Sequence, residues 1–370
     1  MRLSAIVFWA LISASFLVAA HDLSAQTSTN SSSGGIDNSS ATPEASPTPV
    51  VEPWLKRWFG LDTFVLSTRY KFVRTENGHT TANVQQYQVI ARAKFKFDAN
   101  GRYSINAGLS TGNSLTVGWN NTGVGTGDLQ TNLYLKQMFF DAKPTKGLEV
   151  QVGGLGVNRG ENTEITSYDN DVYIMGERVS IRLPKHLYFD EVSATNAFIG
   201  DSSHPSVFQR FHRLGKANYH QFLVRKQASK QVSFSADYTF DSGGDTFHEA
   251  LRIKVPKSHL FDLFLFENYQ RVSPDRGYGF GAYAEKALNM RFTLNGGFTR
   301  IDRPMLNGDP FPPGKRLYFG GTYKLSRELS VNSILIRGVG HMPTPQTPRT
   351  RFDLILTYNV LETLHRHRIF

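Results

Sequence analysis

From Lys230 to Phe240 the chain reads KQVSFSADYTF, with Val232, Phe234, Ala236, Tyr238 and Phe240 on one phase and Gln231, Ser233, Ser235, Asp237 and Thr239 on the other. Successive side chains of a strand point to opposite faces, so the segment has one apolar face and one polar face. The alternation recurs from Thr63 onward: in Phe64/Leu66/Tyr70/Phe72, Tyr87/Val89/Ala91/Ala93/Phe95/Phe97, Tyr103/Ile105/Ala107/Leu109, Phe292/Leu294/Phe298, Leu317/Phe319/Tyr323 and Phe352/Leu354/Leu356/Tyr358. Residues 259–269 and 330–338 are apolar on both phases, which leaves their facing open. No amphipathic helix stands out, and the segments add up to about sixteen strands, within bounds of fourteen and eighteen.

The connections sharpen this. Tight turns are expected at 98–101, 142–147, 184–187, 227–230, 256–259, 287–289 and 326–328, alternating with mostly longer loops at 74–85, 111–132, 155–171, 200–217, 241–246, 271–277, 301–315 and 338–350. One end of the sheet is therefore trimmed and the other elaborated, which a soluble sandwich has no reason to do. A bilayer admits strands only in a closed barrel, with an apolar face to lipid and a polar face to a watery lumen. The expected fold is all-β: a transmembrane antiparallel up-and-down barrel over 54–360, with the even face of 232–240 toward lipid and its odd face toward water. Aromatics near strand ends, such as Tyr70, Phe97, Tyr103, Tyr238 and Tyr358, suit interfacial girdles. Sixteen strands leave an aqueous channel, whereas eight are filled by their own side chains.

Composition adds a route and a charge. The opening run LSAIVFWALISASFLVAA follows Arg2 and reads as a secretory signal peptide over 1–25, with cleavage after Ala20 or Ala25. Residues 26–53, rich in Ser, Thr, Asn, Gly and Pro, cannot bury enough surface to order and read as a periplasmic linker. Trp54 and Trp58, with Lys56 and Arg57 between them, fit either a short interfacial turn or packing under the first strand. The chain has no cysteine, so no disulfide framework holds the exported fold.

Its net charge is +10, and on strands of clear phase the cations gather on the water-facing side. Arg69, Lys71, Arg92, Lys94, Lys96 and Arg102 fall within the first three strands with no acid among them. Arg252 and Lys254 follow later, and Arg178, Arg182, Arg291, Arg316, Lys324 and Arg351 share the same phase. The acids of that phase are Glu149, Glu191, Asp237, Glu285 and Asp353. Ladders of Arg and Lys favour anions, unless acids neutralise them.

In signal peptide, strand number, short turns and long loops, the chain resembles the Gram-negative outer-membrane porins over about 63–360, an architectural resemblance without a diagnostic motif. It implies periplasmic turns, outward loops, passage through the outer-membrane assembly machinery, and homotrimerisation. In general porins the third outer loop folds inward and sets acids against a basic wall. The corresponding loop here carries Glu161, Glu164, Asp169 and Asp171, which become candidate constriction acids. Such barrels usually end on an aromatic residue with apolar residues alternating behind it. Here Phe370 is terminal but follows Arg366 and Arg368, so RFDLILTYNV (351–360) reads as the closing strand and 361–370 as a tail. Two histidines of that tail, His365 and His367, are too few to make a metal site.

The function this implies is passive diffusion of small polar solutes, with anions favoured. The partners are the lipid bilayer, lipopolysaccharide, which Arg210 and Arg213 would meet, and the solutes. Nucleic acid is not among them, because the aromatics follow the lipid-facing phase. Gly277, Gly279 and Gly281 are not a strand-to-helix turn and read as barrel curvature. No cofactor, metal or catalytic residue is read from the sequence. Two other readings remain open: an export channel for an acidic polysaccharide, similar to alginate-export barrels, and an outer-membrane hydrolase using parts such as His248 and Asp237.

Overall fold

The computed structural model describes residues 57–367 apart from 185–186, 242–243, 256–257, 274–275 and 303–310. The expected signal peptide and linker, Trp54, Arg368 and Phe370 lie outside those residues. Seventeen strands follow in order: β1 (Phe59–Thr75), β2 (Thr80–Lys96), β3 (Tyr103–Thr111), β4 (Asn120–Gly125), β5 (Leu133–Ala142), β6 (Leu148–Gly156), β7 (Tyr173–Arg182), β8 (Glu191–Phe198) and β9 (Tyr219–Gln227). They continue as β10 (Val232–Asp241), β11 (Gly244–Lys254), β12 (Leu263–Ser273), β13 (Gly277–Ala287), β14 (Phe292–Ile301), β15 (Gly314–Lys324), β16 (Leu329–Val339) and β17 (Pro348–Asn359). All pairings are antiparallel, and β1 pairs with β17 as well as β2, which closes the sheet without a free edge. After an excursion at 112–119, β4 resumes the course of β3 along the upper part of β2. Seventeen strands thus build a closed barrel of sixteen staves.

The alternation sets the facing. Tyr238 and Phe240 of β10 stand exposed on the outer wall, while Ser233, Ser235, Asp237, Thr239 and Asp241 are buried inside. Exposed aromatics form two outer belts. Tyr70, Tyr238, Phe240 and Tyr278 lie toward the loop end, and Phe95, Tyr103, Phe140, Tyr323 and Tyr358 toward the turn end.

Three expected long loops are shorter than expected: β1 is joined to β2 by 76–79, the β10–β11 ladder runs on to Asp241↔Gly244, and the β12–β13 ladder runs on to Arg271↔Gly277. The cause is visible in β1 and β2, each 17 residues long. At about 3.3 Å per residue they outreach the roughly 25 Å apolar band, and Thr80, Asn83, Gln85 and Gln86 continue the backbone ladder where hydrophobic alternation has stopped. Conversely, β12 starts only at Leu263, because Leu260 and Phe261, although apolar, lie in the connection before it. Two short helices complete the fold: α1 (Val207–Arg210), followed by a 3-10 turn (Phe211–Arg213), and α2 (Val360–Arg366), which occupies most of the expected tail.

One stretch of wall is thin. The β5–β6 ladder holds five residue pairs, from Met138↔Gly154 to Ala142↔Val150, and above them β5 bulges at Lys136. Helix α1 lies against this stretch. A Cβ on Gly154 would come within 2.6 Å of Val207 Cγ2, so the glycine makes the seat. Arg210 donates to the carbonyls of Lys136 (2.9 Å) and Tyr173 (3.5 Å) and is 1 % exposed. It is therefore a buried strut, and Arg213, paired with Asp201 at 2.6 Å and stacked on Phe198, is equally engaged. Neither is the free surface cation expected from the sequence.

Candidate functional site

The site is built from the third long loop, 157–172, and the inner wall. The loop leaves β6, crosses the inner faces of β9–β13 and returns to β7, and its seat is polar and specific. Glu161 N–H donates to Ser235 Oγ at 2.7 Å. Buried Glu267 accepts from Thr163 N–H (2.6 Å), Thr163 Oγ1 and Thr166 Oγ1 (2.6 Å), so all the donors converge on one carboxylate. Tyr168 Oη donates to Asp241. Gly160 holds φ of +60°, and any Cβ there would lie 2.5 Å from Ser235 Oγ. This position requires glycine for both conformation and space.

Above this seat the interior is apolar: Ile165 and Tyr168 of the loop pack with Leu155, Ile174, Tyr219, Tyr269, Ile301, Phe311, Tyr318 and Ile336. The odd face of 232–240 is consequently not open to water, as its alternation led one to expect. It is the polar bed of the loop: Ser235 accepts from Glu161 N–H, and Asp237 is met by Thr239 and His248.

The candidate acids are placed as follows. Glu161 lies 3.6 Å from Arg225 and 3.4 Å from Arg252. Glu164 accepts from Asn170 and has Arg159 and Arg351 as electrostatic neighbours; burial and the nearby Asp171 push its carboxyl above the usual range against those two cations. Asp169 accepts from Asp171 N–H at 3.2 Å. Asp171 faces Lys136, Arg92 and Arg69, and burial raises its carboxyl in spite of them.

Arg69, Lys71, Arg92, Lys94 and Lys96 point inward from β1 and β2. Arg92 is exposed within the interior, reaches the Tyr173 hydroxyl and faces Asp171. Arg69 donates to Gln86 at 2.6 Å, stacks over Trp119 at 4.2 Å and lies 3.6 Å from Asp353, which also takes Arg351 at 2.7 Å. Lys94 lies 3.9 Å from Asp141, which also pairs with Lys143 at 3.2 Å. Neutralisation therefore comes from acids on flanking strands as well as from the loop.

Arg252 points inward to Glu161, and Lys254 is exposed at the turn end of β11. Arg102 is not on a strand but in the exposed turn 97–102, because Asp98 caps that turn by accepting from Tyr103 N–H and ends the ladder there. Arg316 is taken up by the carbonyls of Pro312, Pro313 and Pro348, and Arg178 by Thr195, Gln151 and Gly156. Both are structural clamps.

Asp141, Glu267 and Arg225 were not among the sequence candidates. Asp141 sits beside a turn where phase is hard to assign, and Glu267 lies in the segment apolar on both phases. His248 Nδ1 and Asp237 are 2.9 Å apart, but both are buried under the loop, and His248 Nε2 has no hydrogen-bond partner. The pair thus has no nucleophile hydroxyl to act on. Among the described residues no three His, Asp or Glu side chains converge as a metal site.

No protein-family model and no curated protein matches the sequence. Among solved structures the chain is similar to Salmonella typhi OmpF in complex with daunomycin, at 9 % identity over 82 % of this chain and 98 % of that one, with a TM-score of 0.54. It is similar to Pseudomonas putida OprB at 11 % identity over 83 % and 94 %, TM-score 0.53. A doubly tryptophan-substituted Rh. blastica porin gives 11 % identity over 81 % and 99 %, TM-score 0.51. At such identities the likeness is one of fold, and the fold that this chain shares is that of the porins.

Proposed function

We propose that the chain is an outer-membrane channel through which small polar solutes diffuse passively, with anions favoured. The observation that carries this is the disposition of charge inside a closed barrel: Arg69, Lys71, Arg92, Lys94 and Lys96 on one inner wall, with Asp171 of the inward loop facing Arg92 and Arg69. The porin-like fold supports the location and the absence of catalysis. Export by a signal peptide at 1–25, a linker at 26–53, turns toward the periplasm and assembly as a homotrimer belong to the same reading. A conduit for an acidic polymer would use the same cations, but a loop latched across the inner faces of β9–β13 suits small solutes better.

Reversal potentials of the purified protein in planar bilayers under a KCl gradient test it. Chloride preference is expected, strongest at low salt, because the screening length falls from about 30 Å at 0.01 M to about 3 Å at 1 M. Exchanging Arg92, Lys94 and Lys96 for Glu should shift preference toward potassium with the barrel intact. Wild-type cation preference at low salt would mean that the loop acids dominate, and absence of conductance would remove the channel reading.

A further inference from the structure

The turn end of the lumen holds a second concentration of positive charge. A cavity of about 1020 Å³ opens there between the inner faces of β1, β15, β16 and β17, the turns 288–291 and 325–328, and α2. Arg291, Lys324, Arg327 and Arg366 line it, with the hydroxyls of Ser330 and Thr357 between them. Glu328 is spent on Arg366 and on Ser326, whose hydroxyl donates to it at 2.9 Å. Arg291, Lys324 and Arg327 are exposed, and among the described residues none of their side chains has a hydrogen-bond or ion-pair partner. The remaining lining acid is Glu362.

We infer that this vestibule is a binding station for phosphorylated small solutes, an inference that rests on the channel reading above. Arg presents a planar fork that matches two phosphate oxygens at once, and three of the four cations are Arg. Chloride needs one cation; a cavity of this size, with several cations and intervening hydroxyls, fits a multi-oxygen anion held at several points. The ends of the barrel differ in the same sense. The seven connections at the turn end carry eight Lys and Arg against four Asp and Glu, and the eight at the loop end carry six against ten. A phosphorylated solute leaving the acidic end is thus drawn to the basic one, where unpaired cations receive it.

The test is sided block of single-channel current by inorganic tripolyphosphate, using the full chain in planar bilayers. Orientation is fixed by labelling an Asn113→Cys variant, since the chain has no other cysteine. Half-block is expected at a concentration at least tenfold lower from the turn side than from the loop side. The triple variant R291Q/K324Q/R327Q should raise the turn-side value at least tenfold while open conductance in KCl changes less than twofold. R327Q alone, in an exposed turn, should raise it measurably and covers the case in which the triple variant fails to insert. Equal block from both sides, or block unchanged in the variants, overturns the vestibule while leaving chloride preference standing. Loss of chloride preference in the wild type overturns the anion reading, and the vestibule with it.

Discussion

Asp353 shows how much of the interior charge is organised by single residues. It is 3 % exposed and serves Arg351 and Arg69 together. Removing one member of a buried ion pair leaves the other charge uncompensated, which costs about 3–5 kcal/mol. D353N should therefore lower the urea midpoint of barrel unfolding by that equivalent and, by freeing two cations, raise chloride preference; a variant as stable as wild type would show that the pair is solvent-screened. The loop acids predict the pH dependence. Glu164 and Asp171 have raised pKa values, chiefly through burial, so each takes up its proton at higher pH than an exposed carboxyl. As pH falls from neutrality toward the ordinary carboxylate range near 4, the loop loses negative charge before exposed carboxylates do, and the chloride-to-potassium ratio should rise. Reversal potentials across that range check the sign, and a falling ratio would contradict the placement of both acids beside the conducting path.

Neighbouring residues of one strand have opposite environments, and β10 offers the cleanest test. Ala236 faces outward and Ser235 lies under Gly160 of the loop. Arg at Ala236 should cost about 2–4 kcal/mol near mid-membrane. Arg at Ser235 should leave the barrel folded but unseat the loop, visible as larger or noisier open current. Equal effects of the two on urea unfolding would show that β10 is buried on both sides. This strand also marks what was legible in the sequence. Its alternation gave the facing and, repeated along the chain, the staves. It could not show that the polar side is a bed for residues seventy positions earlier, since Ser235 and Asp241 read equally well as water-facing. Strand ends were hardest to place where the ladder runs on without apolar residues, as at Thr80 and Gln85. The inward acids of the loop could be named from a resemblance, but Arg225, which pairs with Glu161, Asp141, which lies beside Lys94, and Glu267, which seats the loop through Thr163 and Thr166, could not, because the pattern left their phase open.

At the scale of the molecule, short turns and long loops at opposite ends, a polarised charge distribution and a loop that narrows the interior describe a barrel with unlike ends. The ladder joining β1 to β17 bears on how such an object comes into being. It pairs Val65 with Asn359 and Arg74 with Thr350, residues separated by nearly the whole described chain. Every other neighbouring pair of staves is joined by its own turn or loop and can zip locally, at an entropic cost that grows only slowly with the length of that connection. This one pays for the longest closure in the fold and is rewarded last, which places the protein among high-contact-order chains that fold slowly and expose unpaired edges while they do. Until β17 arrives, β1 presents a 17-residue edge that any other strand could claim. The last step of maturation is therefore also the one most exposed to error, and a chaperone that shields that edge until closure would be worth more to this chain than one that speeds any hairpin.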